Sequence, residues 1–239
     1  MVLEKVKNNG FALAGTNNTS TSSGAIGYFA RKIADAGFVG FVLSRAPERV
    51  AAYGSYSSVF GTNPIAIALP AKPDPVLLDM STASMSFYGV LEAQTAGRQL
   101  PDGVGYDADG NPSNDPAAVA AGALKSFDGG FKGSALAMMV EALAGPLTGA
   151  SFSGQQDSRT NWGHLLFAID PELLGGRAEF QAKLERLKAN IKGAARLAGV
   201  DEIPVPGERG DSLFKKVMDS GQIEIEDKLL EELRIAASR

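Results

Sequence analysis

The sequence predicts an α/β fold. Short β-rich apolar runs at residues 11–14, 38–43, 65–69 and 76–78 alternate with helical or glycine-rich segments, so two hydrophobic periods interleave through the first half. The second half continues the pattern, with an apolar run at 164–169 between two stretches of helical spacing. The chain of 239 residues is 44% hydrophobic and 21% charged, which supplies a sizeable core and excludes global disorder.

Taken in order, the opening residues lack the basic-then-apolar layout of a signal peptide, because Glu4 and Lys7 interrupt any apolar run; a cytoplasmic protein is expected. A strand at 11–14 precedes a helix at 25–36, where Ile26, Phe29, Ile33 and Ala36 recur at helical spacing and Gly37 supplies a stop. Strands at 38–43, 65–69 and 76–78 follow. Residues 100–116 are dense in Pro, Gly, Asp and Asn, which favour turns by fixing or freeing φ or by capping their own backbone, so a surface loop is expected. A helix at 134–143, a buried strand at 164–169 and a charged helix at 177–197, ending near Gly199, come next. A loop, IPVPGERGD, leads into amphipathic segments at 212–218 and 227–233. The expected organisation is an α/β cofactor-binding region over 1–176 and a helical region over 177–239 that packs back on it.

Composition narrows the chemistry. Lys and Arg number 23 against 27 Asp and Glu, a net charge of −4, which argues against nucleic acid or an anionic membrane as partner. The most apolar stretch, 134–147, contains Glu141 and falls short of the ~20 residues a membrane helix needs. With no cysteine and a single histidine, His164, the chain offers no thiol nucleophile or disulfide and argues against a metal centre.

Several motifs bear on binding. Residues 103–108 spell G-x-G-x-x-A, but turn residues flank them where a dinucleotide fingerprint needs a strand before and a helix after. Asp107, Asp109 and Asn111 imitate the start of a calcium loop, yet Pro112 and Ala118 stand where it needs Gly and Glu. A turn is the expected outcome for both. Residues 129–134, GGFKGS, lie just before a helix, where free N–H groups and Lys132 suit an anion, although a plain glycine turn is equally compatible. Thr62, Asn63 and Pro64, and Asp79 through Thr82, put polar groups at strand edges, where they serve either as ligand contacts or as caps. His164 opens an apolar strand and reads first as a hydrogen-bonded structural residue, with Trp162 beside it as packing.

These residues, in this order, resemble the malate/L-lactate dehydrogenase family of NAD(P)-dependent oxidoreductases, which lacks a Rossmann domain. The matching text is FGTNPIAIALP at 60–70, LDMSTASMSFYGVLEAQTAGRQLP at 78–101, DADGNPSNDP at 107–116, GGFKGSALAMMVEALAGPLTGA at 129–150, GHLLFAIDPE at 163–172 and PGER at 206–209. Within the family, the 78–101 block is most similar to the 2,3-diketo-L-gulonate reductases.

The resemblance implies a largely antiparallel central sheet with flanking helices, a homodimer, and NAD or NADP held by loops. Carried over block by block, cofactor contacts fall on Asp79, Met80, Ser81, Thr82, Ala83, Ser84 and Met85, on Phe131 and Lys132, and on Gly207, Glu208 and Arg209. It also implies a proton-donating histidine and a substrate-binding arginine in a helical segment ahead of the matched text, and a second histidine where this chain has Ser22. A serine alone is a poor acid near neutral pH. The implied activity is interconversion of a 2-hydroxy acid and a 2-oxo acid, or reduction of a cyclic imino acid by the same hydride geometry. The alternative is a homologue that binds dinucleotide or dimerises without turnover.

Overall fold

The computed structural model describes residues 1–238. Its first sheet holds five strands: β1 (Phe11–Thr19), β2 (Val39–Ser44), β5 (Ile65–Leu69), β6 (Val76–Met80) and β10 (Trp162–Ile169). Their spatial order is β1-β10-β2-β5-β6, and every neighbouring pair is antiparallel. Strand period places successive side chains on opposite faces. Val42, Ala66 and Ala68 therefore share one face and meet Ile26, Ala30 and Ala34 of helix α2 (Gly27–Asp35) and its cap. Leu43 and Leu165 share the other and meet Val140 and Ala144 of α5 (Phe131–Ala144). Gly40 lets α2 lie close to β2, since a Cβ there would sit 2.8 Å from Cβ of Ile33.

Helix α1 (Val2–Asn9) buries Val6 under β1 and stops at Gly10, whose φ of 73° is left-handed. The local sequence gives no helical signal there, because eight residues carry one buried apolar position. Strands were expected within a residue or two of β2, β5, β6 and β10, whereas β1 continues five residues past its expected end at Ala14.

A second sheet was not anticipated. Strands β3 (Val50–Ala51), β4 (Ser58–Phe60), β7 (Gly105–Tyr106), β8 (Pro112–Ser113) and β9 (Ala123–Leu124) lie in the order β4-β3-β9-β7-β8. Elements of two or three residues have no readable period. The expected loop at 100–116 is thus partly a hairpin, and its turn is organised by Asp107, whose carboxylate accepts from the N–H of Asp109 and of Asn111. Helices α3 (Phe87–Thr95) and α4 (Pro116–Ala121) cover this sheet, with Val90 and Val119 packed among Val50, Leu100 and Leu124.

Helix α6 (Arg177–Lys192) ends at Gly193 rather than near Gly199, and buries Leu184. Helices α7 (Glu208–Ser220) and α8 (Asp227–Ala237) bury no residue. Charged contacts tie α7 to the rest: Asp211 pairs with Arg31 of α2, and Glu208 with Lys192 at 2.8 Å. No helix among the described residues is long and apolar enough to cross a membrane.

Candidate functional site

At one end of the first sheet β1, β2 and β6 finish while β5 and β10 begin. A cavity of about 470 Å³ opens there, bounded on the sheet side by Ser22, Ser23, Ser44 and Ser81, and closed by Phe87 and Leu91 of α3. It lies between the two sheets, the kind of junction where ligand sites commonly form.

Behind the cavity wall stands His164. Its Nδ1 is 2.8 Å from Oγ1 of Thr16, and its Nε2 is 2.5 Å from Oγ of Ser23, which in turn lies 3.4 Å from Oγ of Ser44. Burial of the ring lowers the His164 pKa below its ordinary value, so the neutral imidazole is favoured at neutral pH. Ser22, expected at the position of a family histidine, lines the cavity, but the serine backed by an imidazole is its neighbour Ser23. Trp162, read from sequence as packing, walls the cavity and anchors its indole N–H on the Arg159 carbonyl at 2.9 Å.

The segment that leaves β6 joins the predicted cofactor blocks. Asp79 accepts from the Gly27 N–H at 2.9 Å; desolvation against α2 raises its pKa, and that hydrogen bond opposes the rise. Three donors, Oγ of Ser81 and both N–H and Oγ1 of Thr82, converge on the Thr62 carbonyl. Ala83 bridges to Ser126, Ser84 donates its hydroxyl to the Val104 carbonyl, and Met85 packs on the Val50 cluster. Met80 closes the β5–β6 ladder opposite Ile65.

Of the other two blocks, one hangs from this segment and one from β6 itself. The Phe127 N–H donates to the Thr82 carbonyl, which sets the loop that enters α5 at Phe131. Asp128 already occupies part of that helix entrance: one carboxylate oxygen accepts from Gly130 N at 2.9 Å and Gly133 N at 3.1 Å, and the first of these lowers its pKa. The glycine loop therefore presents fewer free N–H groups than its sequence implies. Phe131 and Lys132 are exposed beside it. On the far side of β6, the Leu77 N–H donates to the Pro206 carbonyl, and Gly207 follows with a φ of 103°. A Cβ at Gly207 would lie 3.2 Å from Leu77 N. Glu208 accepts from Val205 N and pairs with Lys192, which lowers its pKa, while Arg209 is exposed.

Asn63, one of the candidate ligand contacts, is fully buried and structural. It donates to Glu141 at 2.7 Å and to the Ala137 carbonyl, and accepts from Ala46 N. Glu141 in turn holds Arg45, also fully buried, through Nε at 2.9 Å. Arg49, on the cavity wall, was missed in the sequence because beside Glu48 it reads as an ordinary charged turn.

Fold and site together define a non-Rossmann α/β protein with a hydroxyl-lined cavity backed by one imidazole. The chain belongs to the malate/L-lactate dehydrogenase family, whose profile matches residues 1–234. It is 33% identical to the malate/(S)-sulfolactate dehydrogenase of Methanothermus fervidus over 98% of this chain and 68% of that protein. It is 38% identical to a Δ1-pyrroline-2-carboxylate/Δ1-piperideine-2-carboxylate reductase of Pseudomonas putida over 87% of this chain and 61% of that one. The solved malate dehydrogenase of Pyrococcus horikoshii superposes with a TM-score of 0.87 at 27% identity, covering 100% of this chain and 68% of that structure. The chain thus spans about two thirds of the length of these relatives.

Proposed function

We propose that this protein is an NAD(P)-linked oxidoreductase that interconverts a 2-hydroxy acid and a 2-oxo acid in the cavity beside His164. The observation that carries the reading is the Ser23–His164 contact of 2.5 Å at the wall of a hydroxyl-lined cavity, in a chain of a dehydrogenase family.

Charge and chain connections support the proposed cofactor residues. Lys132 and Arg209 are exposed cations with no ion pair among the described residues; the loop before Phe131 joins the 79–85 segment at Thr82, which continues to Ser86 and Phe87 at the cavity, and the Gly207 block joins β6 at Leu77. Those two cations would meet the pyrophosphate, with the main chain around Ala83 and Gly207 alongside it. A nicotinamide held there would supply or take the hydride.

The chain's own groups handle the proton. With His164 neutral and its Nδ1–H on Thr16, Nε2 accepts a proton from Ser23, which accepts one from the substrate hydroxyl as the carbonyl forms. In the reverse direction the imidazolium returns it to the developing alkoxide. A second reading, reduction of a cyclic imino acid, rests on the likeness to the Pseudomonas putida reductase. The homodimer belongs to this proposal too, supported by apolar side chains exposed along α5 and just after it, among them Phe131, Met138, Met139 and Leu147.

Fluorescence titration with NADH and NADPH tests the cofactor site. Saturable binding that Lys132→Ala or Arg209→Ala weakens by about tenfold, the scale of one charge-assisted contact, supports it. A folded protein that binds neither nucleotide contradicts it.

A further inference from the structure

The Ser23–His164 contact also has the geometry of an activated nucleophile. A serine hydroxyl attacks carbonyl carbon when a base within hydrogen-bond reach takes its proton and a third group holds that base in place. All three parts are present. Oγ of Ser23 lies 2.5 Å from Nε2 of His164, and the other ring nitrogen, Nδ1, lies 2.8 Å from Oγ1 of Thr16. Thr16 stands opposite His164 in the β1–β10 ladder, so the group that orients the imidazole is carried on regular sheet rather than on a loop.

The surroundings suit attack on a carbonyl. Ser23 is half-buried and lines the cavity, where a small molecule can reach its hydroxyl. Its neighbour Ser22 lines the same cavity, but that hydroxyl accepts from Gly24 N at 3.2 Å and has no imidazole behind it. The Ser23 N–H donates to no group among the described residues, which leaves it free for the charge that develops on an attacked carbonyl oxygen. Arg49 is the one charged side chain among the described lining residues of this cavity, and no carboxylate lines it. Its guanidinium makes no ion pair among the described residues and lies 4.2 Å from the centroid of the Phe87 ring. Positive potential of this kind favours an anionic intermediate over a neutral ester.

We propose that Ser23, with His164 as its base and Thr16 as the residue that positions the imidazole, is a nucleophile that takes an acyl group from a small carboxylic ester and passes it to water. Oγ of Ser23 bonds to the acyl carbon while its proton moves to Nε2 and the carbonyl electron pair moves onto oxygen. Collapse expels the alcohol oxygen, which takes that proton from the imidazolium and leaves an acyl ester on Ser23. Water then attacks the acyl carbon, and its proton passes by way of Nε2 to Ser23 Oγ as the acid departs. Ester and water become acid and alcohol, with no oxidant or reductant. The reaction shares the Ser23-to-His164 proton transfer with the function proposed above and needs no nucleotide.

The test uses the whole protein without added nucleotide and two probes. p-Nitrophenyl acetate should release a burst of about one equivalent of p-nitrophenolate, the intact mass should rise by one acetyl group, and fragmentation should place that group on Ser23. A fluorophosphonate should label the same residue and block the burst. Ser23→Ala and His164→Gln should each slow acylation by at least about 10²-fold, the scale of general-base assistance. Thr16→Val should slow it as well, and Thr16→Ser should restore it, which a merely structural role for the side chain would not require. A folded protein in which neither probe modifies Ser23, or in which acetylation falls on lysines and persists unchanged in Ser23→Ala, overturns the proposal. Titration of the same sample with NADH and NADPH reads the oxidoreductase function separately, so either reading can fail while the other stands.

Discussion

Ser23 and His164 are 141 residues apart in the chain, yet Oγ of one lies 2.5 Å from Nε2 of the other. The contact forms because β1 and β10 are neighbours in antiparallel register, with Thr16 opposite His164, so that the chain leaving β1 folds back over the imidazole. If this pair carries the proton, Ser23→Ala and His164→Gln each lower kcat by about 10²-fold, the scale of general acid–base assistance, while nucleotide affinity stays within a factor of two or so. Steady-state kinetics with parallel fluorescence titration checks the split.

The pH dependence has a definite sign. Burial lowers the His164 pKa, so the basic form already predominates at neutral pH. Oxidation of the hydroxy acid rises as pH climbs through that lowered value, below the ordinary histidine value of about 6.5, and then levels. Reduction, which needs the imidazolium, falls over the same window. His164→Gln removes both limbs from the pH–rate profiles.

The buried charge network predicts a stability effect. Glu141 joins Arg45 at 2.9 Å, Asn63 at 2.7 Å and both the N–H and hydroxyl of Ser153 at 2.9 Å. Glu141→Ala leaves a fully buried guanidinium short of its partner and costs about 3–5 kcal/mol. Denaturant unfolding measures it, and the same experiment on Lys132→Ala, an exposed side chain, shows a change within about 0.5 kcal/mol.

Asp128 links stability to the proposed cofactor loop. Its carboxylate accepts two N–H groups at the start of α5, the Gly130 contact foremost in lowering its pKa. The contribution is complete above the unfolded carboxylate value and is lost as pH falls through the lower folded one. Asp128→Ala therefore lowers the melting temperature at neutral pH, and this deficit shrinks toward acid pH. Thermal melts across pH follow it.

Much of the first sheet was legible because β2, β5 and β6 are apolar runs bounded by turn residues; α2 was legible from Ile26, Phe29, Ile33 and Ala36, of which Ile26 and Ile33 are buried while Phe29 and Ala36 are exposed. The second sheet was not, since its strands pair two or three residues each and owe their existence to the Val50–Leu124 cluster rather than to local pattern. The cofactor blocks could be listed from resemblance, but their attachment to β6 and to the segment that follows it depends on hydrogen bonds such as Leu77 to Pro206 and Phe127 to Thr82 that span distant sequence. Ser23 and Arg49 had no local signal: one lies in a run of serines and threonines, the other beside an acid that the fold commits elsewhere.

The most direct test of the central claim is turnover itself, followed by the near-ultraviolet absorbance of reduced nicotinamide with malate, lactate, sulfolactate and their oxo acids, and with a cyclic imino acid as a separate arm. The account predicts reversible formation of NADH or NADPH from a hydroxy acid, strongly reduced by His164→Gln. A folded, nucleotide-binding protein that transfers no hydride to or from any of these acids would contradict it.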